Sequence, residues 1–259
     1  MNDVIKTIKN RVSLRNYKDM DISKEDLDII IESAMEAPTA GNMMLYSILV
    51  IRDQETKEIL SKSCDNQPFI AKAPVLLLFL ADQQKWFDYY IKENVKEYSE
   101  KVGIDFEAPQ ESDLIIACED ALIAAQNAVI AAESLGIGSC YIGDIIENYE
   151  FHRELLGLTD WTYPITMLCL GYYEDDYNRV HRNRFDKKFV VFEEKYRQLT
   201  DEELDEMFEE RAQFYVKTNK YEADNYAQMF YAKKSGADFS KEMARAVRVA
   251  LKKWTGELL

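Results

Sequence analysis

Two arginines and a serine lie within five residues near the start of the chain, in the sequence RVSLR. If this segment is extended, alternate side chains point to the same side, so Arg11, Ser13 and Arg15 would face one ligand together. A planar guanidinium group holds a phosphate or a polarised ring carbonyl through paired, charge-assisted hydrogen bonds. The segment therefore predicts an anion site. The alternative is an exposed basic segment that pairs with the aspartates shortly after it.

A second basic cluster, RVHRNRFDKK, covers residues 179–188 and contains Arg182 and Arg184. Both clusters are conspicuous because the chain as a whole is acidic, with 32 basic and 47 acidic residues among 259 and a net charge of −15. Such a charge argues against nucleic acid or an anionic membrane as a general partner. The run Phe189–Phe192 after the second cluster reads as a strand.

Apolar periodicity and turn residues predict the elements that position these clusters. Predicted helices cover residues 2–10, 23–35, 53–64, 113–135, 147–156 and most of 200–254, and residues 83–99 form one amphipathic, aromatic-rich segment. Predicted strands cover residues 46–51, 74–81, a short stretch after Gly136, and 163–171. Residues 39–42, 66–68 and 103–110 are predicted loops. The aromatic segment around Trp86 is either a lid over a ligand or part of the core.

The alanine-rich helix 113–135 is expected in a close-packed interior or a subunit interface, because alanines cover much of its circumference. The glycines of residues 136–144 do not make a dinucleotide fingerprint, since that motif follows a strand and opens a helix, and here the order is reversed. We expect one domain over residues 1–199, with residues 200–259 as a helical extension packed on it.

The four cysteines are scattered without a C-x-x-C pair, and the two histidines are far apart in the sequence. Neither a disulfide framework nor a metal site is expected, and Cys140 reads as a small core residue. The N-terminus lacks the apolar core of a signal peptide, and no uninterrupted apolar run approaches the roughly twenty residues that span a bilayer. These features predict a cytoplasmic protein.

Five motifs in order give a more specific indication. They are R-x-S-x-R at Arg11–Arg15, A-P-T-A-G-N at Ala37–Asn42, N-Q-x-x-I-A at Asn66–Ala71, L-G-I-G-x-x-Y-I-G at Leu135–Gly143, and R-x-R at Arg182–Arg184. With these motifs the chain resembles the FMN-dependent nitroreductase family, and most closely its oxygen-insensitive NAD(P)H nitroreductases and flavin reductases that carry a C-terminal extension.

The resemblance implies a set of flavin-binding residues. Arg11, Ser13 and Arg15 would line the phosphate, ribityl and pyrimidine end of FMN, with Arg15 near ring N1 and the C2 carbonyl, and Arg182 and Arg184 would close on the phosphate. Gln67 would read the pyrimidine edge. The remaining implied residues are the strand end Ile142, Gly143 and Asp144, whose amides approach N5 and O4, and a loop from the partner subunit with Pro38, Thr39, Ala40 and Asn42.

The resemblance also implies the fold and the reaction. The fold would be an α+β three-layer sandwich with a mixed sheet of four or five strands, in a homodimer. The reaction would carry hydride from NADPH or NADH through flavin N5 to a nitroaromatic, quinone or flavin by a ping-pong mechanism, with no side chain as nucleophile or base and no metal. Alternatives are a flavin sensor or store without turnover, and a reductive dehalogenase. Met44 departs from the family pattern, which would make the flavin wall more apolar.

Overall fold

The structure is a computed structural model that describes residues 1–257. Its helices are α1 (Asp3–Asn10), α2 (Lys24–Met35), α3 (Gln54–Ser63), α4 (Pro68–Lys72), α5 (Gln84–Lys92), α6 (Val95–Val102), α7 (Glu111–Ser134), α8 (Tyr149–Leu156), α9 (Asp201–Ala212), α10 (Tyr226–Lys233) and α11 (Asp238–Trp254). Its strands are β1 (Tyr46–Ile51), β2 (Val75–Asp82), β3 (Ile137–Ile142) and β4 (Thr162–Tyr172).

The four strands form one sheet in the order β1-β2-β4-β3, and each neighbouring pair is antiparallel. The predicted α+β fold with a sheet of four strands is confirmed. The sheet was predicted to be mixed, but its strand pairs are all antiparallel. Within residues 1–257, parallel pairing is limited to an isolated bridge between Ser13 and Ser139, beside β3. This bridge places the first basic cluster at an edge of the sheet.

Both faces of the sheet are buried, which gives the three layers. Val75, Leu77 and Phe79 of β2 pack with α2 and α7 on one face. The alternate residues Leu76 and Leu78 pack on the other face, in a second cluster that includes residues of α3 and α4. A strand covered on both faces needs apolar side chains at consecutive positions, and the PVLLLFLA sequence supplies them.

The alanine-rich helix α7 is the central helix of this arrangement. Ala117, Ala121, Ala124, Ala125 and Ala128 are fully buried, and their small side chains let α7 lie close to α2 and the sheet. The predicted interior position is therefore confirmed. Of the described helices, α7 alone is long and apolar enough to cross a bilayer, a property that buried core helices share.

Three local predictions need correction. Residues 83–99 form two helices, α5 and α6, because Asn94 between them takes a left-handed conformation with φ of 55°. Pro68 opens the short helix α4 and does not belong to a loop, which agrees with the preference of proline for the first helical turn. The run Phe189–Phe192 is not a strand, and Val190 and Val191 are more than half exposed.

Contacts divide the described chain into two units. The first contains residues 1–179 together with the chain from Glu242 on, and the second contains Val180–Lys241. The division by contacts falls at residues 180 and 241, and the boundary at residue 199 stays a prediction. The end of α11 belongs to the first unit because Trp254 Nε1 donates to the Gln110 carbonyl at 3.0 Å.

Candidate functional site

The first basic cluster lies alongside β3. The amide of Leu14 donates to the Ser139 carbonyl at 2.9 Å, so this part of the chain is extended and pairs with the edge strand. Val12 is 7% exposed and Leu14 is 0% exposed, whereas the three polar side chains that alternate with them point outward. The alternation predicted from the sequence is therefore present, and both arginines face the same side as Ser13.

Gly138 allows this close approach of the segment to β3. A Cβ atom at Gly138 would lie 2.5 Å from Leu14 Cδ2 and 2.8 Å from a ring carbon of Tyr173. Both distances are well inside van der Waals contact. The glycine is thus needed where the segment carrying the arginines packs on the strand.

The two arginines have no carboxylate partner. Within residues 1–257 neither Arg11 nor Arg15 forms an ion pair, and Asp21, a candidate partner from the sequence, pairs instead with Arg52 at 2.6 Å. The guanidinium carbon of Arg15 lies 5.7 Å from the centroid of the Phe69 ring. Two unpaired guanidinium groups in a chain of net charge −15 are available for an external anion.

Gln67 lies just before α4, and its amide is fixed by two acceptors. Its Nε2 atom donates to Asp144 Oδ2 at 2.7 Å and to the Cys64 carbonyl at 3.0 Å. Because both neighbours can only accept, the NH₂ end of the amide must point toward them. The side-chain oxygen Oε1 of Gln67 accepts no hydrogen bond within the described residues, so Gln67 offers a ligand a hydrogen-bond acceptor.

The chain leaves β3 through Ile142, which is buried, and Gly143, which is exposed. No heavy atom lies within 4 Å of the position that a Cβ atom of Gly143 would take, so the space beside this backbone is open. The amide groups of Gly143 and Asp144 donate no hydrogen bond within residues 1–257. They are two adjacent backbone donors available to a ligand.

The loop with the A-P-T-A-G-N motif is held by a buried carboxylate of α7. Asp120 Oδ1 accepts from the Ala40 amide at 2.9 Å, and Oδ2 accepts from the Leu45 amide at 3.1 Å. The hydroxyl of Thr39 accepts from the Met44 amide at 3.2 Å. These bonds fix a loop in which several residues have positive φ, including Gly41, Asn42 and Met44.

Within one chain, this loop and the arginine segment lie at different edges of the sheet. The loop, with Pro38, Thr39, Ala40 and Asn42, leads into β1, whereas the arginine segment lies beside β3. β1 and β3 are the two edges, separated by three inter-strand spacings or about 14 Å. The structure groups Arg11, Ser13, Arg15, Gln67, Ile142, Gly143 and Asp144 around the β3 edge, and it does not place the loop there.

The second basic cluster belongs to the second unit, which is described by itself. Arg182 and Arg184 line an open groove of about 830 Å³ together with Phe185 and Arg211. The Arg211 guanidinium carbon lies 3.7 Å from the centroid of the Phe185 ring. That Arg182 and Arg184 share a site with Arg11 and Arg15 stays a prediction.

Three residues near these segments have roles that the sequence did not predict. Asp120 shares the buried face of α7 with the alanines. An acidic residue among alanines on a buried face indicates a carboxylate with buried hydrogen-bond partners, so the sequence could have identified it. Trp86, assigned to either a lid or the core, donates from Nε1 to the Met43 carbonyl at 2.8 Å and so supports the loop. Glu147 is buried after the turn that begins at Asp144, and its sequence neighbours give no hint of this position.

Comparison with known proteins agrees with this geometry. The sequence profile of the nitroreductase family matches residues 8–172, and the chain belongs to the nitroreductase family. The FMN reductase (NAD(P)H) of Bacillus subtilis strain 168 is 31% identical over 233 residues, which cover 88% of this chain and 89% of that protein.

Two solved structures show the same fold. NfrA2 from B. megaterium superposes with a TM-score of 0.77 at 29% identity and covers 98% of both chains. An FMN-dependent nitroreductase from Clostridium difficile superposes with a TM-score of 0.54 at 25% identity, covering 74% of this chain and 99% of that one.

Proposed function

We propose that this chain is an FMN-dependent oxidoreductase that passes hydride from NADPH or NADH to a planar acceptor such as a nitroaromatic compound, a quinone or a free flavin. The observation that carries the proposal is the set of unpaired groups at the β3 edge. Among residues 1–257, Arg11 and Arg15 have no ion-pair partner, the Gln67 side-chain oxygen has no donor, and the amides of Gly143 and Asp144 have no acceptor. The names of the similar proteins support the same activity.

These groups fit the hydrogen-bonding pattern of a flavin. The pyrimidine edge of the ring presents a carbonyl, an N–H and a second carbonyl, so it needs one acceptor between donors. Gln67 would supply the acceptor, Arg15 a charged donor, and the amides of Gly143 and Asp144 further donors. The phosphate of FMN would take the remaining positive charge, from Arg11 and, as the resemblance implies, from Arg182 and Arg184.

When bound, FMN supplies two-electron hydride chemistry that amino-acid side chains lack. The chain would hold the ring, place the Arg15 charge where negative charge develops, and leave one face accessible beside Gly143. Because one face would be open, donor and acceptor would use that face in turn, and no side chain at the β3 edge would be needed as a nucleophile. This alternation is the basis of the proposed ping-pong mechanism.

We propose further that the enzyme is a homodimer in the cytoplasm. The loop with Thr39 and Ala40 lies at the other edge of the sheet, so a second copy would bring it to the site. Apolar side chains on the outer surface of α7 support this proposal, because Ile115 is 57% exposed and Ile123 is 42% exposed. Exposed apolar side chains clustered on one helix are typical of a surface that another chain covers.

Steady-state kinetics test the proposed mechanism. With one nicotinamide as donor and a nitroaromatic compound or quinone as acceptor, double-reciprocal plots at several acceptor concentrations are expected to be parallel. The reason is that donor and acceptor would occupy one face in turn and never together. Intersecting lines would contradict alternation, and a flavin-containing protein without turnover for either nicotinamide would instead be a flavin store.

A further inference from the structure

Glu147 is a buried carboxyl group directly behind the β3 edge. Its residue is 6% exposed, and its Oε1 atom has no hydrogen-bond partner within the described residues. The Glu147 amide donates to the Asp144 carbonyl at 3.0 Å, so the two carboxyl groups belong to one turn. Two carboxyl groups form a hydrogen bond only when one of them carries a proton. A proton on Glu147 would let these two carboxyl groups share a hydrogen bond.

The surroundings of Glu147 keep that proton on the carboxyl group. Burial is the main cause, and the nearby charges of Asp144, Asp65 and Glu242 add to it, so that the pKa of Glu147 is raised to about 7. Glu242 is itself paired with Arg245 at 2.7 Å. These acids come from the turn after β3, the end of α3 and α11.

α8 carries two basic residues, and one of them, Arg153, is paired with Asp160 at 2.6 Å. The ring of His152 is fully buried and hydrogen-bonded to the Ile145 carbonyl at 2.9 Å and to the Ser63 hydroxyl at 2.8 Å. Burial lowers the pKa of His152, so the ring is neutral where Glu147 titrates. From the end of α3, the buried thiol of Cys64 stays protonated because burial raises its pKa.

Asp144 and Gln67 connect Glu147 to the ligand side of the site. Asp144 accepts from Gln67 Nε2 at 2.7 Å, and this bond directs the NH₂ end of the amide inward and leaves the carbonyl for a ligand. A protonated Glu147 donates to Asp144 and holds it in place. If Glu147 ionises, the two adjacent carboxylates would repel each other and Asp144 would shift, so the Gln67 amide would lose one of its two acceptors and keep only the Cys64 carbonyl.

We propose that Glu147 is a positioning residue of the flavin site, whose proton orients the Gln67 amide through Asp144, so that flavin binding weakens as Glu147 ionises. The inference rests on the proposed FMN site. Because Glu147 is only 6% exposed, it would not touch the ligand. Its effect on the ligand is carried by the hydrogen bonds of Asp144 and Gln67.

The test measures the dissociation constants of FMN and riboflavin from the apoprotein by flavin fluorescence, at about pH 6.5 and about pH 8.5. Wild-type protein is expected to bind both flavins about sixfold more weakly at the higher pH, the change expected when binding raises the pKa of Glu147 from about 7 to about 8. Riboflavin lacks the phosphate, whose own second ionisation lies near pH 6. A response shared by both ligands therefore comes from the protein.

Two variants isolate the carboxyl group. Glu147→Gln keeps a donor toward Asp144 but cannot ionise, so its dissociation constants are expected to differ less than about twofold between the two pH values. Glu154→Gln removes the same charge from an exposed position on α8 and should keep the wild-type pH dependence. Thermal unfolding without ligand gives an independent readout, since a raised carboxyl pKa makes the folded chain lose stability as pH rises from 4.5 to about 7. Glu147→Gln should lack that loss.

Each outcome decides the inference. A pH dependence in wild-type protein that Glu147→Gln removes and Glu154→Gln keeps would support it. Equal pH dependence in wild-type protein and Glu147→Gln, or none in wild-type protein, would overturn the positioning role and leave the FMN site intact. Absence of flavin binding in wild-type protein at both pH values would overturn the proposed function and the positioning role together.

Discussion

Replacing Asp120 with alanine is expected to lower the free energy of unfolding by about 3 kcal/mol. Asp120 is 2% exposed and accepts hydrogen bonds from the amides of Ala40 and Leu45. Alanine would leave both amides without a partner, at a cost of roughly 1–3 kcal/mol each, reduced where water reaches them. We also expect FMN binding to weaken, because the same bonds fix the loop that the partner subunit would contribute.

Two further variants make the Asp120 result specific. Glu119→Ala removes a neighbouring acid that is exposed on α7, and its free energy of unfolding should stay within about 0.5 kcal/mol of wild type. Asp120→Asn retains one acceptor and places an NH₂ group against the other amide, so an intermediate loss is expected. Urea unfolding measures all three. Equal stability of the alanine variants at Asp120 and Glu119 would contradict the assigned role.

Replacing Arg15 with alanine is expected to raise the FMN dissociation constant by about 10-fold to 100-fold, the range for losing a hydrogen bond to a charged group. Arg15 is exposed and has no ion-pair partner within residues 1–257. Its guanidinium carbon lies 5.7 Å from the centroid of the Phe69 ring. Its removal should therefore leave the free energy of unfolding nearly unchanged. A loss of FMN affinity would then come from the lost contact with the ligand. Isothermal titration of the apoprotein with FMN gives the value.

The controls for Arg15 separate geometry from charge. Arg248→Ala removes an exposed arginine of α11 and should leave FMN affinity within about twofold of wild type. Arg15→Lys keeps the charge but loses the planar fork, so its affinity should fall between those of wild type and Arg15→Ala. An FMN affinity of Arg15→Ala equal to that of Arg248→Ala would remove Arg15 from the site.

Local patterns in the sequence were sufficient for most elements and for the orientation of the arginine segment. The apolar run at β2 and the alanines of α7 predicted burial, and the alternation of residues 11–15 predicted which side chains face outward. These features depend on residues close together in the chain, where side-chain periodicity directly reflects exposure.

What the sequence did not predict depends on contacts between distant residues. Asp120 binds Ala40 across 80 positions, and Gln67 binds Asp144 across 77 positions. Neither pairing leaves a local pattern. The error at Phe189–Phe192 has the related cause that a β-prone run becomes a strand only where a neighbouring strand is available to pair with it. The residues that orient the candidate site were for this reason found only in the folded chain.

FMN binding at the β3 edge and hydride uptake from a nicotinamide can be tested together. The most direct test is the absorption spectrum of the FMN-loaded protein under anaerobic conditions, before and after NADPH or NADH and again after a nitroaromatic compound. The flavin bands are expected to bleach with at least one nicotinamide and to return when the nitroaromatic compound is added. Flavin bands that persist with both nicotinamides would contradict the proposed hydride uptake.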